Sequence, residues 1–512
     1  MSRFLGIDVG SGSVKMAVTD TDGTVLAFDQ VSHSPRSPHT GWVEFDTQRI
    51  WSLVLVLARR LGAAHPGEFA AVRGIGLSVL CPGLIAMDDA GSPLFGAITF
   101  SDNRSAADVE ELAAALDPVD LFRVSGNRLM PGACSVTSML WIRRHRPDVY
   151  ARTAFFGHLN SFLGRMMTGK VGIDPSNASY TGLFETAAGV WSGQVAQRLG
   201  LDSAMLPPIV PSHMPIGVLQ NDELLKTGLP RGIAVAMGGG DTACSALAVG
   251  AVSNGDLFES VGTTNVITLC SNVPEFDERF MNRCHVVPDR WLYHGAMSST
   301  GAALVWLRDS ILEASSQEVF TQLLQRAAAV DPAEPVPLFL PYMAGERTPV
   351  WDPHASGVLF GCGLETRREH ILRAVLEGCG FGTRQILAIV EEIVGRTVDC
   401  VLSIGGGAKI EEWTQIKADI TGRSHTVLHM NNAAVVGAAL LATAAAGDRS
   451  VTDLTAEAVQ RFRNRDENAV WRRFVPNPAW DKAYDRRYQV YCELYPALRP
   501  LFKRYGAGSG RV

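Results

Sequence analysis

One plan of short strands, glycine turns and a helix occurs twice in this chain, and that repetition limits the folds open to it. Arg3 to Val9 reads as a strand, Gly10 to Ser13 as a turn, and Val14 to Asp20 and Thr24 to Val31 as two further strands. Asp22-Gly23 turns the second hairpin. A helix follows from about Thr47 to Leu61, on which Ile50, Trp51, Val54, Leu57 and Ala58 recur at helical spacing, and then a strand around Arg73 to Leu80. The meander start returns at Leu257 to Val261, with a turn at Gly262-Thr263-Thr264 and a strand from Asn265 to Leu269. A strand, glycine turn and helix also occur twice. The first set runs from Ile233 through Gly240 to the helix Thr242 to Val249, and the second from Asp399 through Gly407 to the helix Glu411 to Thr421. This order predicts an α/β protein of two similar domains with mixed sheets, 1–251 and 252–512, with the ligand cleft between them.

Composition narrows the function classes. A chain of 512 residues exceeds one compact core. Hydrophobic residues make up 46% and charged residues 19%, as in ordinary globular proteins, and Lys plus Arg (46) fall below Asp plus Glu (52). The net charge of −6 supplies no basic footprint, so neither nucleic acid nor an anionic membrane is an expected partner. The nine cysteines are scattered and never spaced C-x-x-C, which predicts reduced thiols, a cytoplasmic location and no zinc site. No secretory signal is visible at the N-terminus, and the apolar run Ala433 to Ala446 is too short to span a bilayer, so it reads as a buried helix. The aromatic and arginine-rich segment after Gly447 is expected to form helices on the second domain.

The chemistry-bearing residues sit at the glycine turns. Gly238-Gly239-Gly240-Asp241-Thr242-Ala243 puts one carboxylate between a turn and an apolar helix, where backbone N–H groups and the helix dipole favour anions. Asp is also a good N-cap, so the segment alone supports a plain helix cap as readily as a base. Gly6-Ile7-Asp8-Val9-Gly10-Ser11-Gly12-Ser13-Val14-Lys15 lets the backbone approach a polyphosphate, with Ser11 and Ser13 as donors, Lys15 as counter-charge and Asp8 placed to hold Mg²⁺. Gly262-Thr263-Thr264 offers hydroxyls and N–H groups to phosphates. Gly405-Gly406-Gly407-Ala408 follows a strand and precedes a helix, yet it has neither the P-loop pattern G-x-x-x-x-G-K-S/T nor the dinucleotide fingerprint.

Taken together these turns resemble the FGGY family of carbohydrate kinases, within the actin-like, ribonuclease H-like fold group, over Phe4 to Gly447. The most specific stretch is Leu340-Pro341-Tyr342-Met343-Ala344-Gly345-Glu346-Arg347-Thr348-Pro349, followed by Gly357 to Gly361 and His370 to Gly378, with Cys362 where an aliphatic residue is usual. Taken structurally, Glu346 and Arg347 form an ion pair there, and residues 370 to 390 are a packed helix. The resemblance implies Asp241 as catalytic base, Asp8 as the Mg²⁺ aspartate, Thr263 as a phosphate contact, and Gly301 and Gly407 as nucleotide contacts. ATP and Mg²⁺ are the implied cofactors, and a homodimer is compatible with similar kinases.

The implied reaction is transfer of the γ-phosphate of ATP to a hydroxyl of a small sugar or polyol, with Asp241 accepting the proton. The acceptor loops depart from the xylulokinase pattern. Cys81-Pro82-Gly83 stands where Met-His-Gly is typical, Thr242 where Asn is common, and Phe100-Ser101-Asp102-Asn103-Arg104 where Trp-Asn-Asp precedes an Arg. Asp102 and Arg104 are candidate polyol contacts, against the alternative of a surface ion pair. Length and the Gly345-Glu346-Arg347-Thr348-Pro349 stretch look most like the xylulokinase branch, and Cys81-Pro82 disfavours glycerol. The expected acceptor is a ketopentose such as D-xylulose, with ribulose, L-xylulose, gluconate, tetritols and other polyols as alternatives. An actin- or Hsp70-like ATPase and a non-catalytic sugar sensor are the rival classes.

Overall fold

The computed structural model describes residues 2–115, 118–314, 316–430, 432–464 and 470–509. Its chain forms two compact units, neither a contiguous half of the sequence. The first comprises Met1–Asn254, Cys270–Tyr293 and Asn432–Asn464; the second comprises Gly255–Leu269, His294–Asn431 and Arg465–Val512.

The first unit is built on a mixed sheet whose strands lie in the order Pro215–Val218, Ala234–Ala236, Val72–Val79, Arg3–Val9, Ser13–Thr19 and Val25–Ser32. The three N-terminal strands form the antiparallel meander, and Val72–Val79 runs parallel to Arg3–Val9. Arg3–Val9 is buried almost throughout, because helices cover both faces of the sheet. Thr47–Ala64 packs on the meander with Ile50, Trp51, Val54, Leu57, Ala58 and Leu61, and Asp46 caps it by accepting the Arg49 N–H. The other face takes Ala433–Ala445, whose small residues let it sit directly on Arg3–Val9 and Val72–Val79. Asp241–Val249 packs against that helix.

The helices expected on the second domain after Gly447 divide between the two units. Val451–Asn464 packs instead on Asp241–Val249, where Arg461 Nη1 donates to the Ala248 carbonyl at 3.0 Å. The aromatic helix Asp481–Ser509 packs within the second unit, with Tyr484, Tyr488 and Tyr491 around Phe381.

In the second unit Leu257–Val261 and Asn265–Ser271 repeat the antiparallel hairpin, and Cys400–Ile404 and Ser424–Leu428 continue the sheet in parallel. Val470–Phe474 closes it as an antiparallel edge. The long helix Arg368–Val394 is buried along most of its length and packs on Glu411–Thr421. Among the described residues no helix is long and apolar enough to cross a membrane.

Candidate active site

Strand register gathers the first set of groups. Ser78 lies opposite Asp8 on one side and Gly239 on the other, so the ends of three parallel segments bring Asp8, Ser78 and the Gly239-Gly240-Asp241 turn side by side. Asp8 is 2% exposed, and its Oδ1 accepts the Ser78 hydroxyl at 2.7 Å while Lys15 Nζ lies 3.5 Å from Oδ2. Burial raises its pKa to about 6, with Lys15 opposing and Asp241 adding to the rise.

The Gly10–Ser13 turn closes with the Gly10 N–H on the Ser13 carbonyl at 3.0 Å. His33 braces it twice: its N–H donates to the Gly12 carbonyl and its Nε2 to the Gly10 carbonyl, each at 3.0 Å. Ser11 and Gly12 are exposed, and no atom of the chain would lie within 4 Å of a Cβ on Gly12. A ligand can therefore reach this backbone directly.

Asp241 is the first residue of its helix; Gly240 is the N-cap and makes no side-chain cap. The expected Asp241 cap is thus replaced by a different arrangement. Oδ1 accepts the Thr242 N–H at 2.7 Å and the Thr242 hydroxyl at 3.2 Å, while Oδ2 has no protein partner among the described residues and keeps solvent access. Burial raises the Asp241 pKa, and Arg283 is the main opposing influence.

Around this turn Asp174 accepts from Asn160, Ser176, Asn177 and Ser212, and Ser176 Oγ in turn accepts the Gly240 N–H at 3.0 Å. Cys81 joins the same cluster; burial pushes its thiol up to about 12, so the sulfur is neutral. Pro82 is buried and follows a cis bond.

Asp102 and Arg104 lie in a separate cluster and are not a surface pair. Arg104 Nε and Nη2 each donate to Asp102 at 2.8 Å, Nη2 also reaches Glu44 at 3.0 Å, and the guanidinium lies 4.0 Å over Trp42. The Asp102 carboxylate is fully occupied, since Val43 also donates to it at 2.5 Å, and only Arg104 Nη1 is buried without a partner.

In the second unit the glycine turns converge on Val261 and Gly262. A Cβ on Gly301 would lie 2.1 Å from the Gly262 carbonyl oxygen, and one on Gly405, at φ +95°, would lie 2.5 Å from the Val261 oxygen. Gly262 donates to the Thr264 carbonyl at 2.8 Å, and Ala302 donates to the Thr263 carbonyl at 3.0 Å. Gly406 borders open space, whereas Ala408 is buried and its carbonyl takes the Thr414 hydroxyl. Beneath them the buried Glu259 carboxylate accepts from Lys417 at 2.6 Å, Ser403 at 2.8 Å and His425 at 3.1 Å.

Two family matches cover most of the sequence: the FGGY family of carbohydrate kinases, N-terminal domain, over residues 3–248, and its C-terminal domain over residues 257–446. The chain belongs to the FGGY family of carbohydrate kinases. It is similar to a xylulose kinase of Bacillus subtilis, 29% identical over 505 residues with 98% of each chain covered, and to a gluconokinase of the same organism, 25% identical over 490 residues. Among solved structures, a xyloylose kinase from Brucella ovis superposes with a TM-score of 0.88 at 29% identity, covering 98% of this chain and 100% of that one. A xylulose kinase from Rhodospirillum rubrum gives 0.88 at 28%, with the same coverage. This FGGY kinase therefore has the two-domain α/β fold of xylulokinase-like sugar kinases and is a phosphotransferase.

Within the FGGY signature Glu346 is buried, and its Oε1 accepts the Ser298 and Arg347 N–H groups at 2.6 and 2.8 Å, so the carboxylate fastens the loop by main-chain bonds. Residues 370 to 390 are the packed helix the sequence predicts. Among the described residues no group of three or more His, Cys, Asp or Glu gathers as a metal cage. A single buried carboxylate is nonetheless the donor set Mg²⁺ uses when phosphates and water complete its shell, so the residues fit that ion.

Sequence reasoning missed Ser78, His33, Asp174, Ser176 and Arg283. Ser78 and His33 were within reach, since a polar residue at the end of an apolar strand and one just after a hairpin are visible patterns. Arg283 carries no such signal, because it follows the start of the second repeat and yet folds into the first unit.

Proposed function

We propose that this FGGY kinase transfers the γ-phosphate of ATP to a hydroxyl of a ketopentose such as D-xylulose, with Asp241 as general base. The observation that carries the assignment is the Asp241 carboxylate itself: one oxygen is held by Thr242, and the other is left to a ligand at the start of a helix. That geometry suits a base that takes a proton from an attacking hydroxyl. The helix N-terminus and the N–H groups of the Gly10–Ser13 turn stabilise phosphate charge, and Lys15 adds to it. In the second unit Gly262, Thr263, Thr264, Gly301, Gly406, Gly407 and Ala408 are the nucleotide contacts we assign. Asp8 is the residue to hold Mg²⁺, which when bound neutralises charge on the phosphate oxygens. Phosphoryl transfer asks little covalent chemistry of a protein, so placement and charge supply most of the catalysis.

D-xylulose is the first acceptor because xylulose kinases cover nearly the full chain at 28 to 29% identity. Gluconate is the second reading, carried by the gluconokinase similarity. Cys81, Pro82, Arg104 and Thr242 are the acceptor-side residues proposed, with Asp102, whose carboxylate is taken up by Arg104 and Val43, acting only by holding Arg104 in place.

A panel of pentuloses, polyols and sugar acids, read by coupled ADP release, tests the assignment. Stimulation by D-xylulose above every other compound is the expected result. ATP hydrolysis indifferent to the whole panel would return the protein to the actin-like ATPase class. Asp241→Asn should lower turnover by about 10²- to 10⁴-fold while calorimetry still detects acceptor binding; retained turnover would remove Asp241 from the role.

A further inference from the structure

We infer that Arg283 is a positioning residue for Asp241, and that Gly240 is glycine in order to admit it; the inference rests on Asp241 being the base. Arg283 is 2% exposed and lies in Met281–Cys284, a strand pinned on either side of it. Asn282 exchanges bonds with Asn127 at 2.9 and 2.6 Å, and the Cys284 N–H donates to Ser179 Oγ at 3.0 Å. The side chain is fixed as firmly as its backbone. Nη2 donates to the Ser176 carbonyl at 2.9 Å, and the guanidinium lies 4.8 Å over the Tyr180 ring.

This guanidinium lies directly under the turn that carries Asp241. A Cβ on Gly240 would lie 1.8 Å from Nη2 and 2.6 Å from Cζ. The backbone of Gly240, at φ −67° and ψ 146°, is open to any residue, so no conformational demand explains the glycine. Space does: the arginine occupies the volume a side chain would need. Arg283 and Gly240 also share a partner, because the residue that accepts from Arg283 through its carbonyl accepts the Gly240 N–H through its hydroxyl. The bracket Arg283, Ser176, Gly240 thereby sets the height and direction of the first residue of the helix, Asp241. Arg283 has no carboxylate within ion-pair distance among the described residues, and its Nε is buried without a partner, so its charge is not taken up by a direct ion pair. It acts instead through the turn it supports, and its positive charge favours the charged form of the base.

The experiment compares Arg283→Ala, Arg283→Lys, Gly240→Ala and the double variant Gly240→Ala/Arg283→Ala in the full-length enzyme. Each is read by steady-state kinetics, with active fraction counted by calorimetric ATP binding. Arg283→Ala and Gly240→Ala should each lower kcat ten- to a hundredfold, with KM for acceptor and ATP within threefold. Arg283→Lys should recover at least tenfold of the loss, and the double variant should be no worse than Arg283→Ala. A kcat within twofold of wild type in Arg283→Ala, or a double-variant loss equal to the product of the single losses, would overturn the inference. If Arg283→Ala does not fold, Gly240→Ala and Arg283→Lys decide it: wild-type kcat in Gly240→Ala, or no activity in a folded Arg283→Lys, overturns it. Asp241→Asn run alongside separates the two readings. An active Asp241→Asn refutes the base, whereas an inactive one beside unaffected Arg283 and Gly240 variants refutes only the bracket.

Discussion

The carbonyl oxygen of Val435 lies 2.0 Å from where a Cβ on Gly6 would stand, so the first strand and a helix near the far end of the chain touch backbone to backbone. Gly76 meets Ala438 and Gly437 meets Cys244 in the same way, at 1.8 and 1.9 Å. The strand that carries Asp8 and the helix that begins with Asp241 are thus both seated on Ala433–Ala445.

Gly6→Ala tests that seating. The added methyl must push the helix off the sheet, and overpacking of this kind costs roughly 1–3 kcal/mol. A clear fall in Tm is expected by differential scanning calorimetry; an unchanged Tm would show that helix and strand separate at no cost and are not held in close contact.

Glu346 gives the protein a pH-dependent term. Burial raises its pKa from 4.5 to about 7, against the N–H groups of Arg347 and Ser298 that lower it. The folded state therefore favours the protonated acid. Its contribution is fully present below the unfolded pKa and is lost as pH rises through about 7, to the extent of about 3 kcal/mol. Gln at this position cannot ionise, so the Tm of Glu346→Gln relative to wild type should rise between pH 6 and pH 8. A constant difference across that range would contradict the assignment.

His33 supports the Gly10–Ser13 turn from beneath, and burial lowers its pKa, so it stays neutral and donates from Nε2. His33→Ala frees the turn without touching Asp241. KM for ATP should rise several-fold with a smaller change in kcat, and calorimetry should show weaker ATP binding with acceptor binding unchanged. Equal loss on both substrates would point to general destabilisation instead.

Cys362 is the exposed thiol, while the other eight cysteines are buried or half-buried, and burial pushes Cys134, Cys284 and Cys379 up to about 12. A thiol reagent such as DTNB should find one fast-reacting group in the native enzyme, absent in Cys362→Ser. Several fast groups would mean that the half-buried Cys81, Cys400 and Cys492 open readily.

Local patterns are legible in the sequence itself. The strand Arg3–Val9, the helix Glu411–Thr421 and the start of the helix at Thr47 fall where alternation, glycine turns and helical spacing put them. Asp8, Asp241, Gly262 and Gly407 stand out for the same reason, since a turn that exposes backbone must be written locally in glycine. The Asp102–Arg104 pair shows the limit. Its spacing is visible, but its burial beneath Trp42 depends on a segment far away in the sequence.

By itself the sequence determined the repeated α/β plan, the kinase family and the two aspartates, because periodicity and turn chemistry act over a few residues. The tertiary structure alone decided where Ala433–Ala445, Val451–Asn464 and Arg283 go. Their destinations are set by close packing of small residues and by the need of buried polar groups for partners, and neither leaves a mark in neighbouring sequence. Arg283 reaches the turn of Asp241 because the chain returns to the first unit after starting the second, a path that only long-range contacts fix.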